Sequence, residues 1–281
     1  MAWEYKTLPP LTDDEFRQWQ TLLEDRTGIS FERHKVILQT GLGQRMRQIG
    51  SNNYHDYYEE ICHQKGGALE WEALLKTLTV KETRFFRDID AIEFVRKYLF
   101  KRMLSKHAGP SLELWSVACS TGEEPYSLAM LANDCIEGLG ANKFFGVTAT
   151  DICQASLSEA RKGIYPQRRL QFVDAAMQGR YFETTESGWQ IVEPIKNRVC
   201  FVQANIIELE DLPVGDMDVI YCQNVLIYFK TWRRNKVLDE LVKRLKPEGL
   251  LVLGMGEAVG WSNAMVERVK NDTVQAYQRV V

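Results

Sequence analysis

Several things are scarce in this 281-residue chain. No apolar run approaches the ~18 residues of a membrane span, and the opening MAWEYKTLPP carries no apolar signal core. Positive charge is not in excess: 35 Lys and Arg face 38 Asp and Glu, a net charge of -3, so no global basic field invites nucleic acid. The six cysteines (Cys62, Cys119, Cys135, Cys153, Cys200 and Cys222) contain no C-x-x-C pair, and most fall in apolar strand or helix patterns. Neither a disulfide framework nor a zinc site is expected from them; reduced core thiols of a cytoplasmic protein are. The four histidines, His34, His55, His63 and His107, stand apart from the strand-end motifs described below and are expected at the surface. No Ser/His/Asp or Cys/His set is convincing, and no metal site is expected.

What is present is ordinary for a globular chain, 45% hydrophobic and 26% charged. The first ~80 residues read as helices. LTDDEFRQWQTLLEDRTG opens on Thr12 as N-cap, with Glu15 completing a capping box, and stops at Gly28; Phe16, Trp19, Leu22 and Leu23 recur at helical spacing. ERHKVILQTGLGQRMRQIG is a second helical stretch, weakened by Gly41 and Gly43 and ended by Gly50, and NYHDYYEEICHQKG and ALEWEALLKTLT follow. From about Leu112 the pattern changes to short apolar runs: LELWSVAC, FFGVTATD, VCFVQAN, MDVIYCQN and LLVLGM. Separated mostly by helix-compatible segments, they predict βαβ units and a mostly parallel sheet buried on both faces. TVQAYQRV alternates like an edge or antiparallel strand. Between Gly163 and Val199 the connection is too long for one crossover, and YFETTES and WQIVEPI flank Ser187-Gly188 as a hairpin would. The expected layout is a helical domain over 1–78 and an α/β domain over 79–281 with a β insert at about 165–198.

The first strand and helix, LWSVACSTGEEPYSLAM (Leu114–Met130), resemble the start of a nucleotide-binding unit but carry one glycine, Gly122. A dinucleotide fingerprint needs three, and a P-loop needs G-K-[ST]. Gly122 permits close backbone approach. Ser120 or Thr121 can cap the helix with Glu123 or Glu124 closing a capping box, and Pro125 is tolerated in the first turn. The acid pair would repel a pyrophosphate and suits a cationic nucleotide-like ligand such as S-adenosylmethionine, which has a sulfonium, an α-ammonium and a ribose. Ligands of open α/β sheets sit outside the carboxyl ends of the strands. The second strand ends in Asp151, a candidate for ribose hydroxyls and equally an N-cap for ICQASLSEARKG. The third ends at Asn205 and the fourth at Gln223-Asn224. Enzymes that methylate exocyclic amines often carry [DN]-P-P-[YF] at the fourth strand end; CQNVLIYF stands there instead, against an amine acceptor.

WSVACSTGEEPYSLAM, TVKETRFFRD, ATDICQASLSEARKGIY and CQNVLIYF, together with RLKPEGLLVLG, resemble the chemotaxis-receptor glutamate O-methyltransferases, the CheR family, over nearly the whole chain. The resemblance implies a Rossmann-like class I methyltransferase sheet with a small antiparallel β subdomain inserted, preceded by an all-helical N-terminal domain. It implies S-adenosylmethionine as methyl donor, S-adenosylhomocysteine as product, and glutamate side chains of the chemoreceptor cytoplasmic helical bundle as acceptors. Cofactor contacts are then expected at Thr83, Arg87, Glu124, Asp151, Asn205, Ile206, Gln223 and Asn224, with Arg87 and Tyr228 beside the transferred methyl. It also implies a cytoplasmic protein at receptor arrays, taken as a monomer. Two positions depart from the family pattern: Lys81, where many members have asparagine, and Gln223, where many have arginine. No side-chain contact is carried onto Lys81, and only a backbone or weak polar role onto Gln223.

This chemistry needs no general base, because a glutamate with a reference pKa of ~4.3 is already ionised at neutral pH. Placement is the requirement, and a forked guanidinium at Arg87 could hold the acceptor carboxylate. The plainer alternatives are an ion pair of Arg87 with Asp88 or Asp90, and an aromatic core role for Tyr228; Phe85 and Phe86 are expected to anchor the chain in the core. For docking, residues 26–50 carry Arg26, Arg33, Lys35, Arg45 and Arg47 against Glu32, a net +4 that could steer an acidic receptor helix, with Arg45 and Arg47 as its candidate contacts. The alternative is a merely solvated face. Some members bind a receptor tail peptide on a longer, glycine-rich turn of the β insert; ETTESG, with Gly188 alone, leans toward a member that needs no tether. The competing reading in another class is a non-catalytic module that senses S-adenosylmethionine.

Overall fold

The computed structural model describes residues 9–32, 34–63, 66–79, 82–105, 109–212 and 214–280. Lys81, Arg33 and His107 lie outside the described residues. The chain divides into two compact units, Met1–Val80 and Lys81–Val281.

The first unit is built from helices α1 (Asp13–Thr27), α2 (Lys35–Ile49), α3 (Tyr54–His63) and α4 (Gly67–Leu78). The capping box at its start forms as the sequence predicts. Thr12 Oγ1 accepts the Glu15 amide at 3.3 Å and the Glu15 carboxylate accepts the Thr12 amide at 2.9 Å. Gly28 closes α1 in the left-handed region, φ 79°. Trp19, Leu23, Leu38, Leu42, Met46, Tyr57 and Leu74 form the core, while Phe16 and Leu22 are only partly buried against it. The glycines expected to weaken α2 do not interrupt it. A Cβ on Gly41 would collide with Leu78 Cδ2, so this residue lets α2 and α4 approach closely.

The second unit runs α5 (Ile89–Leu104), β1 (Ser111–Val117), α6 (Glu123–Gly138), β2 (Phe144–Asp151) and α7 (Gln154–Lys162). The insert follows with β3 (Ile164–Tyr165), α8 (Ala175–Tyr181), β4 (Phe182–Thr185), β5 (Gly188–Ile191) and α9 (Glu193–Lys196). Then come β6 (Val199–Gln203), β7 (Met217–Cys222), α10 (Thr231–Lys243), β8 (Leu245–Leu253), β9 (Val266–Arg268) and β10 (Gln275–Arg279). The sheet order is β6-β2-β1-β7-β8-β10-β9. The first five strands are parallel; β10 runs antiparallel to both of its neighbours, β8 and β9.

Alternate residues of one strand enter opposite cores. Leu112 and Leu114 pack with Val219, Tyr221, Leu250 and Val252 on one face. Trp115 and Val117 pack with Ile220, Cys222, Leu251 and Leu253 on the other. Burial on both faces is why these strands read as unbroken apolar runs. Cys119, Cys135, Cys153 and Cys222 are buried, while Cys200 is exposed. His34, His55 and His63 are exposed.

The insert is a three-stranded antiparallel sheet, β3-β5-β4, whose β4–β5 hairpin joins Phe182–Thr185 to Gly188–Ile191. Three differences from the sequence expectations have physical causes. TVQAYQRV forms an antiparallel strand that is interior, because the three-residue β9 covers it. Such a short strand shows no readable period. Helix α5 went unread, although Asp88 caps it and Ile92, Val95, Leu99 and Met103 give its buried stripe. Within the insert, β3, α8 and α9 are too short for periodicity to show. Among the described residues no helix is long and apolar enough to cross a membrane.

Candidate functional site

The carboxyl ends of β1, β2, β6 and β7 converge on the rim where an open α/β sheet takes its ligand. Backbone strain gathers here. Of the five non-glycine residues with positive φ among those described, Ala118 (57°) and Ser120 (51°) belong to the turn after β1 and Asn224 (62°) to the turn after β7. Phe86 (51°) lies in the segment that leads into α5, and Glu248 is the fifth. Such conformations are costly and persist only where the surroundings enforce them.

The turn into α6 differs from its sequence reading. The cap position is Gly122, φ 94°, and neither Ser120 nor Thr121 accepts an amide of the first turn. Ser120 instead donates its own amide to Asp151 Oδ2 at 2.8 Å, and Thr121 Oγ1 donates to Glu123 Oε2 at 2.7 Å. A Cβ on Gly122 would lie 2.8 Å from Ala160 Cβ and 2.9 Å from the Tyr165 hydroxyl, so packing within the protein already requires glycine. Glu123 closes no capping box. It is fully buried, which pushes its carboxyl upward, and Arg169 Nε lies 3.4 Å from its Oε1.

Glu124, the next residue, is only half-buried. Ser116 Oγ donates to its Oε1 at 2.7 Å. Burial pushes its carboxyl up to about 8; the nearby Glu257 adds to this, while the Ser116 hydrogen bond and the Arg87 charge oppose it. Asp151 does not cap α7, whose cap position is Cys153. Its Oδ1 accepts the Cys153 amide and its Oδ2 the Ser120 amide, both at 2.8 Å, so one carboxylate ties the β1 and β2 loops together. Asn205 opens the 3₁₀ turn Ile206–Asp211 and accepts the Ile207 amide at 3.4 Å, leaving Ile206 half-buried on the rim.

The segment before α5 is held from several sides. Phe85 is fully buried, edge-on to Tyr165 and Phe182. Phe86 donates its amide to Ser127 Oγ at 3.1 Å, and the Thr83 carbonyl accepts from Arg169 Nη1. Arg87 is exposed. Its Nη1 donates to the Glu82 carbonyl at 2.9 Å, and among the described residues it pairs with neither Asp88 nor Asp90. Asp88 instead caps α5 and accepts from Gln223 Nε2 at 3.0 Å. Arg87 lines an open cavity of about 540 Å³ together with Arg84, Asp88, Ile89, Asp90, Gln223 and Asn224.

After β7, the Gln223 amide is committed to the scaffold: it bridges Asp88, the Tyr221 hydroxyl and the Leu253 carbonyl, which leaves its backbone for a ligand. Tyr228 ends the 3₁₀ turn Leu226–Tyr228, half-buried, and its hydroxyl makes no hydrogen bond among the described residues. Sequence reasoning missed four residues that build this rim: Ser116, Ser127, Arg169 and Glu257. Each acts through a tertiary contact that leaves no local pattern.

In the first unit, Arg45 of the candidate docking pair is engaged within the protein. Its guanidinium is bidentate on Glu70, at 2.6 and 2.7 Å, and Tyr57 donates to the same carboxylate at 2.8 Å. Lys35 pairs with Asp13 at 2.5 Å. Arg47, two positions on from Arg45 and therefore on another face of α2, is exposed.

The rim fits S-adenosylmethionine. The Glu124 carboxyl, pushed upward by its desolvated setting, is relieved by a cationic ligand and opposed by a phosphate. Among the described residues, no lysine or arginine forms an ion pair with it. A parallel sheet with one reversed strand, β10, beside β8, and with acids at its first two strand ends, defines an S-adenosylmethionine-dependent methyltransferase of the Rossmann-like class. Residues 81–275 match the family model described as CheR methyltransferase, SAM binding domain, and residues 14–79 match the CheR methyltransferase all-alpha domain. Among curated relatives, the chain is similar to "Chemotaxis protein methyltransferase" of Escherichia coli, 32% identical over 253 residues, 88% of this chain and 85% of that one. It is 31% identical to the protein of the same name from Salmonella typhimurium over 275 residues, 96% of this chain and 92% of the other. "Chemotaxis protein methyltransferase 2" of Vibrio cholerae is 29% identical over 268 residues, 94% and 92% of the two chains. The chain belongs to the CheR methyltransferase family.

Proposed function

We propose that this methyltransferase esterifies glutamate side chains on the cytoplasmic helical bundle of chemoreceptors and so serves chemotactic adaptation. The observation that carries the reading is Arg87: an exposed guanidinium, paired with no carboxylate among the described residues, lining a cavity beside Gln223 and Asn224. Its charge reaches Glu124. A carboxylate anchor thus stands next to a pocket suited to a cation. The names of the curated relatives support a chemotactic role.

S-adenosylmethionine, when bound, supplies an electrophilic methyl carbon whose bond to sulfur breaks, with its electron pair, as the bond to the carboxylate oxygen forms. Glu124 and Asp151 would hold the donor's cationic and hydroxyl-bearing ends, with Thr83, Asn205, Ile206, the Gln223 backbone and the Asn224 carbonyl completing the contacts. Arg87 orients the acceptor carboxylate, and the Tyr228 hydroxyl supplies a further polar contact to carboxylate or methyl. Orientation of this kind can be worth about 7–11 kcal/mol in favourable cases. The exposed Arg47 contributes to steering an acidic receptor helix onto the first unit. The protein acts in the cytoplasm at receptor arrays, as a monomer.

Tritiated methyl donor incubated with receptor cytoplasmic domains tests the proposal. Base-labile label in the receptor fraction supports it. Donor binding without transfer to any receptor domain would instead mark a non-catalytic sensor.

A further inference from the structure

Glu257 lies in the loop after β8, far in sequence from every motif discussed above, and is fully buried. A carboxylate in such a place needs a counter-charge or a full set of hydrogen bonds. Among the described residues it has no cationic partner; it has five backbone amides. Oε1 accepts from Val225 at 2.9 Å, Leu226 at 2.8 Å and Ile227 at 3.2 Å. Oε2 accepts from Asn224 at 3.1 Å and Gly254 at 2.8 Å. Four consecutive amides therefore converge on one side chain.

We propose that Glu257 is a positioning residue for methyl transfer: an internal anion that clamps the turn after β7 and thereby sets Asn224 and Tyr228. The positive φ of Asn224 begins the curl that aims the four amides at one point. Successive amides arranged this way form an anion-binding concavity, and here the protein fills it from within. Gly254 supplies an independent sign of the clamp. A Cβ there would lie 2.5 Å from Glu257 Oε2 and 3.2 Å from the Asn224 nitrogen, so the carboxylate and the turn together exclude a side chain. One consequence bears on the acceptor. The amides of residues 224–227 are already taken by Glu257, so they cannot also donate to the acceptor carboxylate; the carbonyls of this turn and the Gln223 backbone stay open to the cofactor, and the acceptor is left to Arg87.

The inference rests on the proposed reaction for its kinetic consequence but not for its structural one, and Glu257→Gln tests both. The substitution keeps the shape, removes the charge, and replaces one acceptor oxygen by an NH2 that faces amide donors. Amide hydrogen exchange of residues 224–227 is read first, without any acceptor. In the wild type these amides exchange slowly although they lie beyond the end of β7. In E257Q they speed up by about tenfold or more while the amides of β7 and β8 do not, the mark of a local opening. With receptor domains as acceptor, turnover falls by about 10²-fold, the effect of a displacement of about 1 Å near the reacting atoms. Affinity for S-adenosylhomocysteine, held also from three other strand ends, changes by a much smaller factor, about threefold. Fast exchange of these amides in the wild type overturns the clamp even if E257Q fails to fold. Unchanged exchange in a folded E257Q, or turnover and affinity falling in parallel, overturns it as well. If wild type methylates no receptor domain, the proposed reaction fails while the exchange result still decides the clamp.

Discussion

The proposed contact of Glu124 with the cofactor would make binding a proton-linked event. Its carboxyl is pushed up to about 8 by burial and by the negative Glu257 beside it. At pH 7 about nine-tenths of the free protein then carries a neutral Glu124. A cationic ligand favours the ionised form, so binding expels this proton. Each pH unit below the carboxyl's pKa costs about 1.4 kcal/mol of apparent binding free energy, or about tenfold in affinity. The affinity should therefore rise by up to about tenfold between pH 6 and 7, and flatten above about 8. Calorimetry at pH 7 in buffers of different ionisation enthalpy should report about 0.9 proton released per ligand bound. Glu124→Gln cannot ionise, so its affinity should be lower at pH 8 and nearly independent of pH. The free protein should also lose stability as pH rises from the ordinary carboxylate range through about 8, because the unfolded chain releases this proton first. Comparing S-adenosylmethionine with S-adenosylhomocysteine locates the contact. Linkage with both points to the α-ammonium, and linkage with the methyl donor alone points to the sulfonium. A flat pH profile in the wild type, or a slope retained in E124Q, would refute the reasoning.

Asp151→Ala should weaken cofactor binding by about 10²-fold or more, because it removes the proposed ligand contact and also frees the Ser120 and Cys153 amides. Equal affinity by calorimetry would remove the residue from the site. Arg87→Ala should lower turnover by about 10²-fold with cofactor affinity changed only slightly, and Arg87→Lys should recover little, since the fork is lost; a parallel loss of affinity would instead make Arg87 a binding residue. Arg47→Glu should slow receptor methylation and flatten its dependence on salt, leaving the melting temperature near wild type. Arg45→Glu should cost the first unit about 3 kcal/mol in stability, because it sets a second carboxylate against the largely buried Glu70. If the two variants behaved alike, the division of roles within α2 would be wrong.

Much of the architecture was legible in the sequence because it depends on near neighbours. Thr12 and Glu15 sit three residues apart and cap α1 whatever surrounds them. The apolar runs at 112–119, 144–151 and 217–224 announce strands because both faces of the sheet are covered, and no polar alternation survives such burial. The acids beside Gly122 were visible, and with them the preference for a cation over a phosphate.

What the acids do was decided only in three dimensions. Asp151 reaches Ser120 across 31 residues and Glu257 reaches Asn224 across 33. The βα crossovers that bring such pairs together leave no periodic mark on either partner. The same holds for Gly122, whose lack of a side chain answers to Ala160 and Tyr165, and for Arg45, whose charge is claimed by Glu70. Sequence by itself determined most of the longer elements, the layers and the sign of the charge at the strand ends. The tertiary structure decided which carboxylate ties two loops together and which holds a turn from within, because that depends on what lies across the rim and not on what lies beside it in the chain.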